Sequence, residues 1–80
     1  MDGVTLFGSS TLVISGNAFS GTIEDDLLDV TGPGNSLSGT GNTNDAVIVD
    51  RLCEADGAGA FVGTVEVNGT LLQDNVPPCN

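Results

Sequence analysis

The chain has 80 residues and contains no His, Trp or Tyr. Its only basic side chain is Arg51. Each absence removes a class of function. Activation of a Ser, Thr or Cys nucleophile needs an adjacent base, and only carboxylates are present to serve. A zinc site of the usual tetrahedral kind lacks its ligands, because there are two cysteines and no imidazole. A formal net charge of −10 repels phosphate backbones and anionic lipid surfaces, which argues against nucleic-acid and membrane partners. No apolar run approaches the ~20 residues that span a bilayer. Met1-Asp2-Gly3 shows neither the basic start nor the apolar stretch of a signal peptide. The expectation is therefore synthesis in a cytoplasm without a leader.

What is present reads as a folded β protein. Leu, Ile, Val and Phe make up roughly 29% of the chain, above the roughly 20% below which highly charged chains stay unfolded. The length allows one domain, residues 1–80. Apolar residues never hold helical spacing for a useful length, and Gly interrupts every candidate window. Short Val-, Ile-, Thr- and Phe-rich runs bounded by Gly, Asn, Asp and Ser predict strands instead. They fall at Val4–Phe7, Thr11–Ser15, Ala18–Glu24, Leu27–Thr31, Ser36–Thr40, Ala46–Glu54, Ala60–Val67 and Thr70–Gln73. Asn68-Gly69 between two of these runs supplies both positive φ angles of a type I′ turn and predicts a hairpin. Gly32-Pro33-Gly34-Asn35 and Asp56-Gly57-Ala58-Gly59 are turn-forming loops.

One motif recurs. Ala18-Phe19-Ser20-Gly21-Thr22-Ile23-Glu24 is repeated as Ala60-Phe61-Val62-Gly63-Thr64-Val65-Glu66, with a shorter copy at Ser36-Leu37-Ser38-Gly39-Thr40. In a strand, Phe19, Leu37 or Phe61 would point inward, with Gly two residues later on the same face. A Gly there leaves room for a neighbour or marks a bulge. The repeat suggests two halves, about residues 3–38 and 45–80, offset by 42 residues. The expected fold is all-β, a small antiparallel sandwich or barrel with an internal repeat. The alternative is a short β-solenoid with coils of about 18 to 24 residues.

Leu12-Val13-Ile14-Ser15-Gly16-Asn17-Ala18-Phe19-Ser20-Gly21 resembles a coil of the right-handed parallel β-helix proteins. The resemblance implies an inward stack of Asn and Phe. It covers residues 12–21.

Three groups remain as candidate sites. Cys53 and Cys79 can form one disulfide, closing a loop of about 26 residues and contributing about 3 kcal/mol. Such a bond would place the mature protein outside a reducing cytosol. Asp25, Asp26 and Asp29 are the densest acidic cluster and a candidate for calcium, although their spacing matches no EF-hand loop. The plainer expectation is solvated turn carboxylates and no cofactor. Arg51 is expected to pair with Asp50, Glu54 or a carboxylate across a sheet, either within the chain or at an interface. Glu24 and Glu66 occupy matching repeat positions, yet so small a domain has little room for a glycosidase cleft.

These features point away from an enzyme. They suggest a non-enzymatic structural protein that assembles on or decorates a larger particle, in its most specific form a viral capsid decoration or cement protein. Its partners would be a protein scaffold or copies of itself, and its place of action a virion or other extracellular particle surface. A polysaccharide- or cell-surface-binding β module, or a solenoid filament or adhesin subunit, are the alternatives. The scarcity of aromatic faces counts against the first of these.

Overall fold

The computed structural model describes residues 2–57 and 59–79. Ala58, in the fourth of the expected turn motifs, and the terminal Met1 and Asn80 lie outside them. Among the described residues there is no helix, and ten strands form. They are β1 (Val4–Phe7), β2 (Thr11–Val13), β3 (Ala18–Phe19), β4 (Thr22–Ile23), β5 (Asp26–Thr31), β6 (Asn35–Asn44), β7 (Val47–Ile48), β8 (Arg51–Asp56), β9 (Phe61–Val67) and β10 (Thr70–Leu72).

The strands pair in parallel, with one exception. β1, β5 and β8 make one sheet, and β2, β6 and β9 form the parallel part of a second. β3 pairs with the end of β6, and β4 with β7. Val4 lies beside Leu28, Leu28 beside Cys53, Thr11 beside Ser36 and Asn35 beside Phe61. Partners are thus 24 to 26 residues apart. The chain winds, each turn of about 25 residues laid against the one before it.

This corrects the expected antiparallel arrangement. Only β9 and β10 run antiparallel, joined by Asn68-Gly69 with φ angles of 51° and 79°. The hairpin is local; its geometry does not extend to the rest of the chain. No barrel closes, because β1 and β8 remain edges of one sheet and β2 and β10 of the other. Two of the long expected strands also divide. Ala18–Glu24 breaks at Ser20-Gly21, where Gly21 has φ 83°, and Ala46–Glu54 breaks at Val49-Asp50.

Alternation sets the core. Leu28 and Val30 of β5, Leu37 of β6, Cys53 of β8 and Phe61, Val65 and Val67 of β9 are buried. Leu72 of β10 and Cys79 close the same core, and a disulfide joins Cys53 to Cys79. The antiparallel hairpin and this tethered tail cover the last turn. At the other end, Val4, Leu6, Leu12 and Phe19 pack against the core but stay only partly buried. The copies of the sequence motif do not stack on one another. Phe19 lies beside Asn44, Leu37 beside Leu12 and Gly63, and Phe61 beside Asn35.

Two asparagines fasten the turns together. Asn35 Nδ2 donates to Thr31 O and Ala60 O, and its Oδ1 accepts from Ser10 N. Asn42 Nδ2 donates to Ile14 O and Glu66 O, while its Oδ1 accepts from Asn17 N and Asn17 Nδ2. Both side chains are buried, and each reaches the turn before and the turn after its own. Asn17, the residue carrying the β-helix resemblance, is exposed.

Candidate functional site

The winding gathers acidic residues on the outer face of the β1–β5–β8 sheet. In β1, Val4 and Leu6 point inward and Thr5 and Phe7 outward. Thr5 lies beside Asp29, and Asp29 beside Glu54. Thr31 lies beside Asp56. Just before β1, Asp2 bends back onto this surface. Its Oδ2 accepts from Thr5 Oγ1 at 2.8 Å, and its Oδ1 accepts from the Asp26 amide at 3.0 Å. Carboxylate oxygens of Asp2, Asp26 and Asp29 lie within 4.8 Å of one another, as do those of Asp29, Glu54 and Asp56. Asp29 belongs to both triads.

The electrostatics follow from crowding around a single cation. Arg51 sits beside Asp26 in register. Its Nε is 3.8 Å from Asp26 Oδ1 and 3.8 Å from Asp50 Oδ1, and its Nη1 is 3.4 Å from Glu54 Oε1. The guanidinium is shared among three acids and is half exposed. Burial, followed by repulsion from Asp50 and Asp2, raises the pKa of Asp26 despite Arg51. Burial also raises Asp29, with Asp2, Asp56 and Asp26 adding repulsion; a hydrogen bond with Glu54 works the other way. Glu54 is raised for the same first reason, with Asp56, Asp26 and Asp29 as the repelling groups. Asp2 is lowered, chiefly because the Asp26 amide donates to its carboxylate.

Of the sequence candidates, Asp26 and Asp29 come together here, whereas Asp25 is exposed and belongs to neither triad. Asp2, Glu54 and Asp56 complete the group and were not legible as partners. Their separations, 24 residues from Asp2 to Asp26 and 25 from Asp29 to Glu54, equal the length of one turn. That coincidence has meaning only once the winding is known. Arg51 makes its contacts within the chain, with Asp26, Asp50 and Glu54.

The remaining carboxylates do other work. Glu66 accepts from the amides of Gly41 and Gly69, each at 2.7 Å, and these bonds lower its pKa. It braces the hairpin against the preceding turn. Glu24, its counterpart in the sequence motif, is exposed. An apolar cavity lies inside the winding, lined by Val4, Ile14, Phe19, Leu27, Leu28, Val65, Val67 and Leu72. None of these side chains is reactive. No family model, curated protein or solved structure matches this chain.

Proposed function

We propose that this chain is a non-enzymatic structural protein, a short β-solenoid that assembles through its first turn with copies of itself on a larger particle. The observation that carries this reading is the contrast between the two ends. The last turn is covered by the β9–β10 hairpin and the tail tethered through Cys79. The first turn ends in the unpaired outer edges of β1 and β2 and leaves Val4, Leu6, Leu12 and Phe19 partly exposed. Residues 3–23 contain no Asp, Glu, Lys or Arg, although the whole chain carries −10. Charges elsewhere keep such molecules apart, and the uncharged turn is where two could meet without repulsion. An exposed strand edge is a template for pairing, which natural proteins usually blunt with charge. Here it is left bare. Phe7 (69% exposed) and Val13 (67%) add apolar surface on the same turn.

A viral capsid decoration protein is the specific form of this proposal. It is supported by small size, β structure and a side-chain set without a catalytic base or nucleophile pair. The disulfide fits a site of action in an oxidising environment.

Solution mass by light scattering on a sizing column tests the reading. The expected result is a discrete oligomer that Val13→Lys, a change at an exposed position, converts to monomer without loss of fold. A wild-type protein that stays monomeric over the accessible concentration range would overturn it.

A further inference from the structure

We propose that Asp2, Asp26 and Asp29 form a binding site for a hard divalent cation, specifically Ca2+. The inference is independent of the assembly reading above, because it concerns a different face.

A cluster of carboxylates alone says little, since exposed acids are common. What distinguishes this one is that two of its oxygens are buried and without a hydrogen bond, Asp26 Oδ1 and Asp29 Oδ1. Asp26 is only 3% exposed. A buried carboxylate oxygen normally finds a donor or a cation, because leaving it bare costs the full desolvation of a charged group. Arg51 does not fill that role. Its Nε stands 3.8 Å from Asp26 Oδ1, whereas charge-assisted N–H···O bonds are about 2.7–2.9 Å. Its charge is also divided with Asp50 and Glu54.

Size decides which ion fits. Ca2+ binds oxygens at about 2.3–2.6 Å, so two ligands across one ion are separated by at most about 4.6–5.2 Å. The oxygens of Asp2, Asp26 and Asp29 lie within 4.8 Å of one another, inside that limit. Mg2+ needs about 2.0–2.1 Å and near-ideal octahedral geometry, which this spacing meets less well. The backbone fixes two of the three groups. Asp2 is held by the Asp26 amide and Thr5 hydroxyl, and Asp29 sits in the middle strand of three. Asp2 and Asp29 are half-buried, so water can complete the six to eight ligands that Ca2+ takes. The oxygens of Asp2 that already accept hydrogen bonds each keep a second lone pair. Glu54 and Asp56 form the adjoining acidic wall and draw cations toward the site.

The test is calorimetric titration of the metal-stripped protein with CaCl2, together with thermal unfolding in CaCl2, MgCl2 and NaCl at matched ionic strength. Expected are one saturable site per chain and a rise in Tm with Ca2+ that the other two salts do not match. Asp26→Asn and Asp29→Asn should each weaken Ca2+ binding by at least about tenfold, since loss even of outer-shell support commonly costs 10–100-fold. Asp45→Asn, at an exposed position outside the cluster, should leave it unchanged. Absence of saturable heat in the wild-type protein, an equal Tm rise in NaCl, or unaltered affinity in folded Asp29→Asn would each overturn the proposal. The first two outcomes need no variant, so a folding defect in either Asn protein cannot mask the answer.

Discussion

Asn42 joins three turns of the chain through one amide group. Replacing it with Ala removes its bonds to Ile14 O, Glu66 O and Asn17 and leaves buried carbonyls without a donor. Each such loss costs about 1–3 kcal/mol, so Asn42→Ala is expected to destabilise the protein by about 2–4 kcal/mol, read from the shift of its urea midpoint. Gly39 makes a different demand. Its φ is 145°, and a Cβ there would collide with the carbonyl of Ile14 in the preceding turn. Gly39→Ala should cost about 3 kcal/mol or more, because backbone rather than a flexible side chain would have to move. Gly59, with open space around it, should tolerate Ala at the cost of its positive φ alone. Part of this was legible: the Gly of the repeated motif signalled a close neighbour or bulge, and Gly39 and Gly63 both meet the backbone of the turn before. The buried asparagines were not. Asn35 and Asn42 stand in Gly-rich runs that read as turns, and only the stacking of one corner on another takes them out of water.

At the scale of the element, strand existence was written more plainly than strand partnership. The runs from Val4 to Thr31 and from Phe61 to Leu72 follow apolar alternation closely. The Asn68-Gly69 hairpin followed from turn chemistry alone, since those residues accept positive φ. Parallel pairing left almost no trace. The residues that stack inside are Val4, Leu28 and Cys53 in one row and Leu6, Val30 and Ala55 in the next. They share hydrophobicity but no identity. The motif that does share identity recurs at other spacings and drew attention from the true period. The disulfide links the last described residue of the tail to the outermost strand of its sheet, and its loop spans 26 residues. By restriction of the unfolded chain it contributes about 3 kcal/mol. Small domains have only about 5–15 kcal/mol in total, so reduction should bring the protein close to half unfolding under mild heating. Urea titration with and without reductant measures this. An unchanged midpoint would mean that the Leu72 and Ala60 contacts hold the tail by themselves.

For the molecule as a whole, the uneven distribution of charge fixes how stability depends on pH. Asp26, Asp29 and Glu54 have folded pKa values raised above their ordinary values of 3.8, 3.8 and 4.5. The folded protein therefore binds these protons more tightly than the unfolded chain. Their contribution is fully present below the ordinary values and is lost as pH rises through the raised ones. Asp2 and Glu66 are lowered, so their contribution is present above the ordinary range and is lost as pH falls through the lowered values. The two sets together place greatest stability near the ordinary carboxylate range, about pH 4–5, rather than at neutrality. In EDTA, Tm should fall as the pH is raised from that range toward neutrality. Asp29→Asn removes the carboxylate common to both triads while keeping its shape. It should raise Tm at neutral pH and flatten the slope above pH 5, with little effect on the acid limb, where Asp2 and Glu66 titrate. A slope that Asp29→Asn leaves intact would assign the pH response to general repulsion among the 11 acids instead of to this face. Added Ca2+ should flatten the same limb in the wild-type protein, because an ion among these carboxylates offsets the repulsion that protonation otherwise relieves.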